Sequence, residues 1–300
     1  MTHTPDTDIP STLLACLYMH RMATTSQLHE LLGITRLPSS TRRQLQQFAK
    51  EDLVTHVTLP RPGRTMLWSL TAAGRDLCAT WPELRDRDYP PLPADSSAVR
   101  LRAPHTLAVL RTHLAFLADA RRRGDEYGPL DWAPEVYHRL TEQRTDALIA
   151  DALMRYTATG ADGVRRQLRA FVEVDRTTMS SERLASKLMT YGRFLEHTPT
   201  AVGAGRRSGR AQAPEPVWQR FYPIYPRVLF VLTGASRPVL ERRIGDLRAM
   251  AAGNPLASRL ARKVPLGAAV LEDLQEQGPS VAVWTPLTGQ DTGARGWMDL

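Results

Sequence analysis

Five residues, Pro60-Arg61-Pro62-Gly63-Arg64, separate two short runs of strand character at residues 53–59 and 65–70. Proline and glycine punctuate the chain there, so the two runs fold back as a β-hairpin with a basic tip. Three helices are expected before it. Pro10 and Ser11 stand where a helix should start, and Leu13, Leu14, Leu17 and Tyr18 recur at helical spacing. Thr25 or Ser26 can cap a second helix carrying Leu28, Leu31 and Leu32, which Gly33 ends. Ser39 or Ser40 can cap a third that runs to about Asp52. Its inner face is Leu45, Phe48 and Ala49, followed by Leu53, and its outer face is Arg42, Arg43, Gln46, Gln47 and Lys50. Arg and Gln suit base edges in the major groove and also grip phosphates.

A polar third helix followed by a basic ribbon resembles the winged helix-turn-helix family. Leu70-Thr71-Ala72-Ala73-Gly74-Arg75 looks like the strand-to-helix exit of its bacterial members. The resemblance implies that the third helix enters the major groove of double-stranded DNA, while Arg61 and Arg64 reach backbone or minor groove. Some winged helices bind only protein.

The charge agrees with a polyanionic partner: Lys and Arg number 39 against 31 acids, a net charge of +8. Only Lys50, Lys187 and Lys263 are lysines, so each is worth attention. Two cysteines, Cys16 and Cys78, cannot build a disulfide framework or a cysteine zinc site. No apolar run marks the first ten residues and none elsewhere reaches about 18 residues, so neither a signal peptide nor a membrane span is expected, and the expected location is cytoplasmic. There is no G-x-x-x-x-G-K-[ST] loop for ATP and no histidine pair at metal-ligand spacing.

Prolines 82, 90, 91 and 93 mark residues 81–103 as a linker. The expected domains are therefore residues 10–80 and 104–285, with a loose tail at 286–300 and a basic loop at 203–216. In the second domain a helix over 105–123 precedes strands over 132–140, 145–156 and 167–176. A helix over 181–196, a buried strand over 227–233, a helix over 237–252 and a strand over 280–284 follow. That order predicts an α+β or α/β mixed sheet, with a meander and then a parallel crossover.

Asp146 opens one strand, and Glu173 and Asp175 share a face of the next. Such carboxylates repel unless a cation joins them, and a few hard oxygen ligands suit Mg2+. Asp151, five residues beyond Asp146, is read as facing away. Glu135 is a further nearby acid or a loop residue. Lys187 flanks a stripe of Leu184, Leu188, Tyr191 and Leu195, where an ammonium can hold a water beside a phosphate. Ion pairing of the acids with Arg144 and Arg176 is the plainer reading.

The stretches 144–149, 171–176 and 187–191 resemble the PD-(D/E)XK nuclease superfamily. That resemblance implies Asp146 and Glu173 as metal ligands, with the Val174 carbonyl assisting. Asp175 stands where the superfamily has its lysine, which Lys187 could supply from the helix. The whole chain resembles the replication-relaxation family of actinobacterial plasmids and other mobile elements, through residues 70–75, His105-Thr106-Leu107-Ala108 and the block from Glu173 to Tyr191. The expected function is DNA recognition coupled to Mg2+-dependent phosphodiester cleavage by Asp146, Glu173, Asp175 and Lys187. The alternatives are a non-enzymatic regulator or replication accessory protein with an inactive nuclease-like domain, and a second domain that serves to form a homodimer.

Overall fold

The computed structural model describes residues 9–33, 37–59, 65–85, 87, 89, 95–141, 146–160, 162–198, 215–289 and 293–300. It divides into two compact units, Met1–Pro134 and Glu135–Leu300.

The first unit contains α1 (Ile9–His20), β1 (Ala23–Thr24), α2 (Thr25–Leu32), α3 (Pro38–Lys50), β2 (Val54–Thr58), β3 (Met66–Leu70), α4 (Ala72–Ala79) and α5 (Ser96–Arg123). β3 is the middle strand of a small antiparallel sheet ordered β1-β3-β2. Leu13, Leu17, Leu28, Leu45 and Trp68 are all buried in its core. The cap of α2 is Thr24, one residue ahead of the expected pair, and it forms a reciprocal capping box with Gln27. Gly33 closes that helix in the left-handed region, as its position suggested. α3 starts on Pro38 with no side-chain cap, and Ala49 is exposed instead of packed.

A helix was expected from His105, yet α5 begins at Ser96, inside the stretch assigned to the linker, with Pro104 within it. Asp95 caps it, accepting from the Ser97 and Ala98 amides at 2.8 Å each. Val99 and Ala103 pack into one cluster with Met22 and Leu67. That burial offsets the hydrogen bond which Pro104 removes.

β4 (Trp132–Arg139) begins the main sheet, followed by β5 (Ala147–Thr159), β6 (Arg165–Asp175), α6 (Ser181–Glu196), β7 (Arg227–Leu232), α7 (Arg237–Gly253), α8 (Pro255–Lys263), β8 (Leu266–Val270), α9 (Leu271–Gln277) and β9 (Thr285–Pro286). The strands are ordered β4-β5-β6-β7-β8-β9. β5 and β6 are antiparallel, β6, β7 and β8 run parallel across helical crossovers, and β9 closes the edge antiparallel. The expected meander and crossover are both present.

Two expectations fail here. Residues 280–284 are not a strand. Trp284 forms an isolated bridge with Arg295, and the strand that completes the parallel set is β8. The final residues are not loose either: Trp297 is wholly buried, and Arg227 donates to the Met298 and Leu300 carbonyls at 3.1 and 3.3 Å. Among the described residues no helix is long and apolar enough to cross a membrane.

Candidate functional sites

The first candidate is the outer face of α3. Thr41, Leu45 and Phe48 turn inward, at i, i+4 and i+7, and fix the helix against the core. His29 on α2 bonds the Thr41 hydroxyl at 2.9 Å, tying the two helices together. Arg42, Arg43, Gln46, Gln47 and Lys50 are left exposed on the opposite side. Gln47 donates to Glu51 at 2.7 Å, while no ion pair is present at Arg42, Arg43 or Lys50 among the described residues. The β2–β3 hairpin follows directly; Arg61 and Arg64 at its tip lie outside the described residues.

The exit motif at residues 70–75 has a physical reason. Thr71 caps α4 by accepting from the Gly74 amide at 3.1 Å, and its own amide donates to the Leu53 carbonyl at 3.1 Å. A Cβ on Gly74 would stand 2.0 Å from the Leu53 oxygen. Backbone, not a flexible side chain, occupies that space. Gly74→Ala should therefore cost about 3 kcal/mol of stability, read by urea unfolding; a variant as stable as the parent would show that α4 can shift freely.

The second candidate lies where β5, β6 and α6 meet. The β5–β6 register pairs Ala152 with Val172, so one residue further on Asp151 stands opposite Glu173. Glu173 is buried, with 1% of its side chain exposed, and Lys187 is ion-paired to it. Tyr191 donates its hydroxyl to the other Glu173 oxygen at 2.6 Å. Lys187 also lies 3.6 Å from Asp151, whose second oxygen accepts from the Val174 amide at 2.7 Å. The lysine arrives there because Ser180 caps α6 and the buried stripe Leu184, Leu188, Tyr191 and Leu195 turns Lys187 to its flank.

Two carboxylates share one ammonium. Burial and the neighbouring Asp151 charge push the Glu173 carboxyl up to about 8, against the pull of Lys187 and Tyr191. Burial opposes the Lys187 charge, but the combined attraction of Glu173 and Asp151 outweighs it and raises its pKa. Glu173 therefore gives up its proton less readily than an exposed glutamate, while Lys187 holds its proton more tightly than an exposed lysine.

The expected set Asp146, Glu173 and Asp175 is not assembled. Asp146 is gripped by Arg193 at 2.8 and 2.6 Å. Asp175 accepts from Arg243 at 3.0 and 2.7 Å, and the same guanidinium donates to the Met179 carbonyl at 2.6 Å. Glu173 and Asp175 do share a face of β6, yet α6 claims one and α7 the other. Asp151, read as facing away, is the acid that joins Glu173. The parity count started from Asp146, which precedes β5 and so carries no information about that strand's faces. Among the described residues no three His, Cys, Asp or Glu side chains gather as a metal site. Two carboxylates on adjacent strands still match what Mg2+ asks of a protein, since that ion keeps most of its waters and takes one or two carboxylates.

Three helices and a hairpin packed on them make the first unit a winged helix-turn-helix, joined in one chain to a mixed-sheet unit. The chain belongs to the replication-relaxation family, whose model matches residues 14–205. Comparison with curated proteins gives no match. Among solved structures, a zinc-responsive MarR family member, ZitR of Lactococcus lactis, is 19% identical over 26% of this chain and 51% of its own, with a TM-score of 0.22. A MarR mutant from E. coli complexed with operator DNA is 16% identical over 37% of this chain and 63% of its own, also with a TM-score of 0.22. The chain thus spans about half to two thirds of the length of these structures.

Proposed function

We propose that this chain binds double-stranded DNA through α3 and the β2–β3 hairpin, and that its second unit hydrolyses phosphodiester bonds with Mg2+, in the replication or maintenance of a plasmid or other mobile element. The binding half rests on α3, whose outer face offers Arg42, Arg43, Gln46, Gln47 and Lys50 free of a core role. The cleavage half rests on one observation: Lys187 held between Asp151 and Glu173 from adjacent strands.

Asp151 and Glu173 are the residues to hold Mg2+, which would supply Lewis-acid activation of the phosphate and of water. The rest is work for the chain's own groups. The Val174 amide and the Tyr191 hydroxyl fix the two carboxylates in direction. Lys187 supplies a positive charge that stabilises a phosphate oxygen as charge develops on it, and an N–H to orient the attacking water. Its position is set by α6, so it needs no reorganisation at the moment of reaction.

A second reading has its own observation. Asp175 occupies the position that would hold the lysine in the nuclease resemblance, and Arg243 neutralises it. A regulator or accessory protein with an inactive nuclease-like unit would look the same there.

Cleavage of plasmid and linear DNA with and without Mg2+ decides between them, with duplex binding followed in parallel. Glu173→Gln, Asp151→Asn and Lys187→Arg should each lower cleavage about 100-fold or more while binding holds. Arg42→Ala with Arg43→Ala should weaken duplex binding and lower the salt slope by about 1.8. Tight binding without cleavage under either Mg2+ or Mn2+ would leave the regulator reading standing. A footprint over two half-sites would assign a homodimer.

A further inference from the structure

Beyond α6 the β5–β6 hairpin carries a polar ladder that the function proposed above does not use. Its cross-strand pairs are Arg155 with Arg169, Thr157 with Gln167 and Thr159 with Arg165. Residues two apart on a strand share a face, so this ladder continues the row that begins with Asp151 and Glu173. Leu153 and Phe171, paired and buried, lie between the two parts of the row. After them the face opens: Arg155, Arg165 and Gln167 are exposed and Arg169 is half-buried, and none of the six side chains of the ladder is acidic.

Arg155 directly opposite Arg169 is unfavourable for the sheet, because like charges across a strand pair repel. No ion pair reaches either of them among the described residues. Burial raises the pKa of the Tyr222 hydroxyl, and the charges of Arg155 and Arg169 both act against that rise. Beside Tyr222 stands Phe221, 55% exposed, with its ring 4.7 Å from that of His138. His138 is itself fixed, with its Nε2 2.7 Å from the Tyr222 hydroxyl and its ring stacked on Phe194 at 4.8 Å. An exposed aromatic ring is thus held against His138 and Tyr222, whose hydroxyl feels both guanidinium groups, and no ion pair to an acid is present at either arginine among the described residues.

We propose that this face binds single-stranded nucleic acid, with Arg155 and Arg169 on successive phosphates and Phe221 as a stacking platform for a base. The physics favours a single strand over a duplex. Unstacked bases can lie on an exposed ring while arginines track the backbone, which the paired bases of a duplex cannot do. Such binding is tolerant of sequence, since every base offers a π-face and every nucleotide a phosphate. The site is distinct from α3 in both residues and ligand, and it stands or falls separately.

The test is fluorescence anisotropy on the full chain, with an oligothymidylate of about 20 nucleotides and a duplex of about 20 base pairs. Arg155→Gln with Arg169→Gln should weaken oligothymidylate binding about tenfold or more and reduce its salt slope by about 1.4. Phe221→Ala should weaken it about tenfold without changing the slope. Duplex affinity should stay within about twofold in both variants, and Arg42→Ala with Arg43→Ala should show the reverse selectivity. Unchanged oligothymidylate affinity in the paired arginine variant overturns the proposal. So does a loss that is equal on duplex and single strand, which would make the ladder a duplex contact. Failure of the α3 variants alone would count against the winged-helix reading and leave this one intact.

Discussion

Lys187→Met should destabilise the second unit by about 3 kcal/mol. Methionine keeps the length and apolar stem of lysine, so little packing is lost. What goes is the ammonium that is ion-paired to Glu173 and lies 3.6 Å from Asp151. Glu173 has 1% of its side chain exposed and Asp151 16%, too little water to replace an ammonium. The penalty for leaving a buried charge without its partner exceeds what the pair contributes when intact. A double variant, Lys187→Met with Glu173→Gln, should therefore be more stable than Lys187→Met alone, since it removes the stranded carboxyl along with the ammonium. Urea unfolding of the four proteins gives the coupling directly. A Lys187→Met protein as stable as the parent would mean that water reaches the site and that the three groups are not a buried unit. It would also weaken the cleavage reading, which needs Lys187 fixed where it is.

How much of this was legible in the sequence differs from one residue to the next. The helical period of Leu184, Leu188, Tyr191 and Leu195 places Lys187 beside the core without any knowledge of the sheet, and α6 is found as expected. Glu173 stands out because an acid inside an apolar strand needs a partner. Asp151 does not stand out, because its role depends on the cross-strand register, and no local pattern reports that. Residues 266–270 hide a strand: Gly267, Ala268 and Ala269 have little strand preference, and only burial between β7 and β9 makes them one. The prolines at 82, 90, 91 and 93 suggested a linker as far as residue 103, and packing of Val99 and Ala103 made its last part helical. The final residues read as loose because the sequence cannot show Arg227 reaching their carbonyls, or Leu300 filling the space above Gly267. Local periodicity therefore found α6 and α7 but missed α8 and α9, and it was a poor guide to which strands meet.

Acid should unfold the first unit well before it protonates most carboxylates. His20, at the end of α1, and His113, in the middle of α5, are buried, with 3% and 0% of their surface exposed. Their rings lie 5.0 Å apart, and His113 is stacked on Trp132 at 5.0 Å with an interplanar angle of 2°. Burial lowers His20 to about 4, against the Pro129 carbonyl, which favours the charged ring. Burial lowers His113 well below the usual value, with the neighbouring His20 and Arg121 adding repulsion and the Gly128 carbonyl opposing them. Both are neutral in the folded chain and take up protons on unfolding, where the ordinary value is about 6.5. A folded value below the unfolded one gives stability that is present above about pH 6.5 and is lost as pH falls towards the folded value. For His20 alone that loss is about 3 kcal/mol by pH 4, a large share of the stability of a small domain, and His113 adds to it. Denaturant unfolding at intervals from pH 7 to pH 4 should show stability falling steeply with acid. The slope should flatten in a variant carrying His20→Leu and His113→Phe, the latter keeping a ring against Trp132. The comparison is between slopes, so a fixed cost of the two substitutions does not obscure it. Parallel curves for the parent and this variant would move the acid sensitivity away from the histidine pair and onto carboxylates elsewhere.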